Sequence, residues 1–160
     1  MEKFDIFLEV AGELNRSFAI TPILYGSLGL RTLLKKRMTV NDVDILVPQK
    51  FVNNKWKDLK DSMEKLKFEL KDLKEHEFIR NGEIVAFASD KTLGDIDLVS
   101  KDLNETVVRG VIFKELSAKQ YLKVYKFTLH DGYRLTKHSD EEKISLLEKF
   151  LSNKFEPERF

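Results

Sequence analysis

The segment Asp42-Val43-Asp44-Ile45-Leu46-Val47 constrains this chain more than any other. Apolar residues at Val43, Ile45 and Val47 match the two-residue side-chain period of a strand, which sends Asp42 and Asp44 out together on the opposite face. One face of this strand is suited to a core and the other carries charge. Two carboxylates side by side repel, so at neutral pH they share a proton or wait for a cation, and oxygen ligands on a rigid strand suit Mg²⁺. Upstream, Gly26-Ser27 stands where a short apolar run, Ile20 to Tyr25, gives way to the helix-like pattern of Leu28, Leu30, Leu33 and Leu34. Amides at such a helix start can face a phosphate. Downstream, Gly94 to Val99 repeats the alternation and predicts a second acidic strand, with Asp95 and Asp97 on one face and Ile96 and Leu98 on the other. Three carboxylates from two strands could hold two metals roughly 3.5–4 Å apart, an arrangement that stabilises both oxygens of an in-line phosphoryl displacement.

Length and composition place these segments in one domain. The chain has 160 residues, 42% of them apolar and 34% charged, which allows a single core and gives no sign of disorder. The absence of cysteine excludes disulfides and thiolate metal sites and is compatible with a reducing cytoplasm. No run approaches the roughly 20 apolar residues of a membrane span, and Met-Glu-Lys-Phe-Asp is too acidic for a signal peptide, so a cytoplasmic protein is expected. A formal net charge of +1 gives the molecule no broad reason to coat a nucleic acid. The lysines between Lys50 and Lys74 alternate with acids, as on a solvated helix face.

Along the chain, the spacing predicts an amphipathic helix over Glu2 to Phe18, then the first strand and helix around Gly26-Ser27. Pro48 ends the acidic strand, and a second long helix runs from about Phe51 to Leu66. Phe68 to Leu73, Glu75 to Arg80 and Glu83 to Ser89 alternate like strands, with Asn81-Gly82 as a hairpin turn. Val107 to Phe113 predicts one further strand. Ser117 caps a helix to about His130 that Asp131-Gly132 stops, Ser139 or Asp140 caps a last one, and Glu-Pro-Glu-Arg-Phe is a polar tail. His76, His130 and His138 lack the spacing of a zinc site and are expected at the surface or locally bonded. Trp56 and the phenylalanines are assigned to the core.

Gly-Ser opening a helix, Asp-x-Asp on a strand, then a later apolar-Asp-apolar segment resembles the nucleotidyltransferase superfamily typified by DNA polymerase β. Size and layout are similar to its small single-domain members, the lincosamide nucleotidyltransferases and the minimal nucleotidyltransferases of toxin–antitoxin pairs. Arg37-Met38-Thr39 resembles the Arg-x-Thr that often precedes the acidic pair, with about one extra residue intervening. Gly110 to Ser117, running into the helix of Tyr121, Leu122 and Lys126, is similar to the strand and helix after the third acid. Ser139-Asp140-Glu141-Glu142-Lys143-Ile144 departs from the family's Lys-Asp-x-x-Asp-Ile, since Lys143 stands in place of an acid.

The resemblance implies an α+β fold with a mixed or antiparallel central sheet flanked by helices. It forms a single domain over 1–160, with C-terminal helices at about 117–153 packed on it. It also implies Mg²⁺-dependent transfer of a nucleoside monophosphate from an NTP to an acceptor hydroxyl on a small molecule or a protein, with release of pyrophosphate. Asp42, Asp44 and Asp97 would be the metal-binding and catalytic acids, with Asp95 as the alternative to Asp97. Gly26, Ser27, Arg37 and Lys126 would contact the nucleotide. The alternative function is a non-catalytic antitoxin or nucleotide-binding protein that keeps the fold.

Overall fold

The computed structural model describes residues 1–131 and 137–155. The alternation of the acidic segment is realised as a strand with Val43, Ile45 and Val47 buried on one face and Asp42 and Asp44 half-buried on the other. It lies between a helix pair on its apolar face and a second group of helices on the other. In chain order the elements begin with α1 (Lys3–Phe18), β1 (Ile23–Tyr25), α2 (Gly26–Leu34) and β2 (Asp42–Val47). Next come a 3₁₀ turn at Gln49–Val52, α3 (Trp56–Lys65), β3 (Glu69–Asp72), β4 (Glu77–Arg80) and β5 (Glu83–Ser89). The chain continues through 3₁₀ turns at Asp90–Ile96 and Ser100–Asp102 into β6 (Asn104–Val108), β7 (Val111–Glu115), α4 (Ala118–Asp131) and α5 (Lys137–Phe155).

The seven strands form one mixed sheet in the order β3-β4-β5-β2-β1-β7-β6. β2 runs antiparallel to β1 and parallel to β5, and β1 runs parallel to β7. The α+β architecture expected from the sequence is therefore present. Val43, Ile45, Val85, Phe87 and Phe78 point to the face covered by α1 and α3, packing with Phe7, Leu8, Leu59 and Met63. Ile23 and Leu46 point the other way, into a second core with Leu30, Leu34, Tyr121, Val124 and Leu147 from α2, α4 and α5. Because Leu46 shares the face of Asp42 and Asp44, the acids emerge at the open margin of this second core. Among the described residues no helix is long and apolar enough to cross a membrane.

Turn chemistry explains where strands end. Asn81 and Gly82 adopt φ of 50° and 78°, the paired positive values of a two-residue hairpin turn, and Arg80 pairs with Glu83 across it. A second such turn divides the segment predicted as the single strand Val107 to Phe113. Arg109 and Gly110 have φ of 51° and 79°, and the Arg109 guanidinium is held by Asp5 at 2.7 Å. Arg-Gly is a weaker turn signal than Asn-Gly, which is why the division was not visible in the sequence.

Three further expectations change. The helix predicted from Phe51 starts at Trp56, after the 3₁₀ turn of Gln49–Val52. The last helix begins at Lys137, ahead of Ser139 and Asp140, and Asp140 is buried with its carboxylate accepting a 2.8 Å hydrogen bond from the Thr128 hydroxyl. The second acidic strand does not form. Residues 90–96 are a 3₁₀ turn, capped by the Ser89 hydroxyl on the Lys91 amide, and Asp97 closes it with φ 57°. Leu93 and Ile96 are three residues apart, the repeat of a 3₁₀ helix, and both join the second core. The Leu98 amide bonds back to the Leu93 carbonyl at 2.9 Å, so no ladder is available to this segment.

The cap expected at Ser117 is present, and Gln120 makes it reciprocal. Its hydroxyl accepts from the Gln120 amide at 3.2 Å while the Gln120 side chain accepts from the Ser117 amide at 2.8 Å. The alternating charges of α3 behave as a solvated face, with Lys57–Asp61 and Lys60–Glu64 pairs one turn apart. Gly132 and the tail Glu156 to Phe160 lie outside the described residues.

Candidate active site

One row of residues across the sheet organises the site. Tyr25 on β1 pairs with Asp44 on β2, Asp44 pairs with Ala86 on β5, and Ala86 pairs with Glu77 on β4. All four project to the same face, since Val43, Val85 and Phe78 beside them project to the other. They line a cleft of about 560 Å³ together with Gly26, Asp42, Lys74, His76 and Ala88. The alanines give it a low floor between two acidic sides.

Gly26 begins α2 with φ 67°, a conformation that favours glycine. A Cβ at this position would overlap the Asp44 carboxylate, so the close seat of Asp44 against the helix start requires glycine for a second reason. The N-cap position is Tyr25, whose side chain makes no capping bond. The amides of the first turn of α2, that of half-buried Ser27 among them, therefore remain for another acceptor.

Electrostatics marks Asp44 as the most perturbed acid. Burial, then the charges of Asp42 and Glu77, push its carboxyl up to about 7, and Lys143 opposes them. Lys143 reaches this region from α5, with its ammonium 4.9 Å from the centre of the Tyr125 ring. Burial, then Asp44 and Asp95, push the Tyr25 phenol up to about 12. Burial first also raises Tyr121 and Tyr125, and the Asp44 charge adds to both. The Tyr121 hydroxyl lies against Gly29, fully buried and without a hydrogen-bond partner among the described residues.

The structure thus brings Gly26, Asp42 and Asp44 together, with Ser27 adjacent. Asp95 and Asp97 are both exposed on the turn rather than on a strand. The charge of Asp95 acts on Tyr25, which places it near the cleft mouth, whereas the charges shifting Asp44 come from Asp42, Glu77 and Lys143, not from Asp97. Among the described residues no three His, Asp or Glu side chains converge as a metal site. Arg37 is exposed in a separate groove with Arg31, Lys35 and Lys36. Lys126 is exposed on α4, one residue beyond Tyr125.

Sequence reasoning missed Glu77, His76 and the reach of Lys143. His76, expected at the surface, lines the cleft and packs edge-on to Trp56 at 4.8 Å. The available signal was the alternation of β4, which opposes Glu77 to the core residue Phe78.

No family model matches the sequence. The uncharacterized protein YnaI of Bacillus subtilis (strain 168) is 36% identical, over 96% of this chain and 100% of that one. Among solved structures, the solution structure of the antibiotic-resistance factor ANT(2'')-Ia superposes with a TM-score of 0.62 at 13% identity, covering 96% of this chain and 88% of that one. The crystal structure of ANT(2'')-Ia in complex with adenylyl-2''-tobramycin gives 0.58 at 11% identity, covering 94% and 90%. These likenesses carry the fold.

Proposed function

From a chain that belongs to the same family as YnaI and has a nucleotidyltransferase-like fold, we propose an enzyme that moves a nucleoside monophosphate from an NTP to an acceptor hydroxyl, releasing pyrophosphate. The observation that carries this reading is the seat of Asp42 and Asp44 beside the open first turn of α2, at the edge of a cleft with a floor of small residues.

The donor set fits Mg²⁺. Two carboxylates share one face, and the cost of ionising Asp44 next to Asp42 is the cost a divalent cation relieves. Mg²⁺ is commonly held by one or two carboxylates plus substrate phosphates, so two acids suffice. When bound, it would supply charge neutralisation at the triphosphate. The protein's own part is positioning. The amides of Gly26 and Ser27 would hold a phosphate at the positive end of α2, Lys143 would add charge from the α5 side, and the floor of Ala86 and Ala88 would leave room for the acceptor. Tobramycin carries the nucleotide in the ANT(2'')-Ia complex, which makes an amino-sugar hydroxyl one acceptor to try here and a protein hydroxyl another.

One observation favours a second reading, a nucleotide-binding protein without transfer. The β5 residue beside Asp44 is Ala86, and Asp97 is not brought to the cleft. The same experiment separates the two. Each NTP is titrated with Mg²⁺ and with EDTA while pyrophosphate release is followed with tobramycin and a protein mixture as acceptors. Transfer predicts Mg²⁺-dependent binding with release, and ligand at about a hundred times its dissociation constant stabilises the fold by roughly 2.7 kcal/mol. Binding with no release selects the second reading, and no binding of any NTP rejects both.

A further inference from the structure

The transfer reaction needs a group to take the acceptor proton, and the β5 residue paired with Asp44 on the cleft face, Ala86, cannot. We infer that Glu77 is the catalytic base of this site, acting from β4 across Ala86. The inference rests on the transferase reading. It goes beyond it by naming the residue that receives the proton.

The geometry is a consequence of register. With strands about 4.8 Å apart, Asp44 and Glu77 stand roughly 10 Å apart at their Cα atoms, on the same face, with only the Ala86 methyl between them. Two carboxyl side chains leaning over an alanine leave a gap suited to one hydroxyl rather than to a shared metal. Among the described residues no three-acid metal cluster forms here, in agreement with that spacing. Both carboxylates line the same cleft, and the Glu77 charge is felt at Asp44. His76, beside it in the chain, and Ala88 on β5 complete this side of the cleft.

The competing explanation is that Glu77 serves only as an ion-pair partner of Lys71. That contact is long, at 3.5 Å, with Lys71 43% exposed while Glu77 is only 21% exposed. An exposed lysine at that distance contributes little, and does not account for a mostly buried carboxylate facing a cleft.

In the step assigned to it, the acceptor hydroxyl oxygen forms a bond to Pα of the NTP. The bond from Pα to the bridging oxygen breaks with its electron pair, which leaves on pyrophosphate. The hydroxyl proton passes to the Glu77 carboxylate, which later releases it to solvent. The acceptor is left as its nucleotidyl ester, with no oxidant or reductant involved.

The test measures pyrophosphate release from each NTP with Mg²⁺, using water and glycerol as hydroxyl donors, alongside NTP-induced melting shifts. Glu77→Gln is expected to slow release about 10²-fold or more while leaving the melting shift unchanged. Adding Ala86→Asp to Glu77→Gln is expected to recover at least about tenfold, because it restores a carboxylate on the same row. Lys71→Gln is expected to stay within about twofold of wild type, since it removes only the ion pair. A wild-type rate in Glu77→Gln would overturn the assignment and leave the transferase reading standing. A wild-type protein that binds NTP but releases no pyrophosphate would overturn both. Should Glu77→Gln not fold, Glu77→Ala decides, with a wild-type rate overturning the assignment.

Discussion

The two sides of the cleft are built differently. On the α2 side, Gly26, Asp42 and Asp44 come from consecutive elements joined by antiparallel pairing of β1 with β2, and a glycine with positive φ lets a carboxylate sit on the helix start. On the β4 side, Glu77 and His76 arrive through two successive pairings, β2 with β5 and β5 with β4, and the acid-bearing turn after β5 stays at the margin. The first side is a local motif that its own sequence specifies. The second is a product of sheet register, in which neighbouring residues of the chain need not be neighbours in the site.

The sharpest way to break this comparison is to neutralise its central residue. Asp44→Asn is expected to reduce nucleotidyl transfer by about 10²–10³-fold or more, as for loss of one group aimed at developing charge. In EDTA its melting temperature should be unchanged or higher, because the buried charge next to Asp42 is gone. A marked loss of stability in EDTA, with transfer intact, would make Asp44 a structural residue and erase the distinction between the two sides.

The next effect is a dependence of stability on pH. The folded Asp44 carboxyl is raised from 3.8 to about 7, so between these values the native state holds a proton that the unfolded state has lost. Stability from this group therefore falls as pH rises from about 4 to about 7, and its full penalty, on the order of a few kcal/mol, is present above that window. Chemical denaturation of wild type and Asp44→Asn across pH 4–8 is expected to show the decline in the first and a flatter curve in the second. Parallel curves would place the titration elsewhere.

Reading the chain alone shows the same asymmetry. The strand of Asp42 and Asp44, the Gly26-Ser27 helix start and the Asn81-Gly82 hairpin were legible because each is decided within a few residues, by side-chain period or by the need for positive φ. The segment 94–99 was misread because Ile96 and Leu98 satisfy a period of two while Leu93 and Ile96 satisfy a period of three. The Ser89 cap and the bond from Leu98 to Leu93 settle the competition for the turn. Glu77 was out of reach for another reason. The alternation of β4 sets Glu77 opposite the core residue Phe78, but its place in the cleft depends on the parallel pairing of β5 with β2, which no local signal declares. Lys143 stood out as a departure from the family pattern, but its approach to Asp44 follows from α5 packing on α4.

Glycine substitutions sharpen the contrast at a smaller scale. Gly26→Ala forces a side chain into positive φ and into the Asp44 carboxylate, and is expected to cost about 1–3 kcal/mol and to weaken NTP binding. Gly94→Ala, on the turn after β5, meets open space and is expected to be neutral or stabilising by up to about 1 kcal/mol. Denaturant midpoints of the two variants measure the difference directly. Equal effects would mean that the two sides are not built to different tolerances.

The smallest effect is expected at Asp97, the acid that the family resemblance singled out. It is exposed and closes a 3₁₀ turn at φ 57°, a conformation that asparagine also accepts readily. Asp97→Asn should therefore change stability by less than about 0.5 kcal/mol and leave both NTP-induced melting shifts and transfer at wild-type levels. Asp95→Asn should act more strongly on the site, because Asp95 contributes to the field at Tyr25. If Asp97→Asn instead lowers transfer as far as Asp44→Asn does, the 90–97 turn must swing its acid over the cleft when substrate binds. The side set by sheet register would then need a conformational step that the α2 side, locked by Gly26, does not.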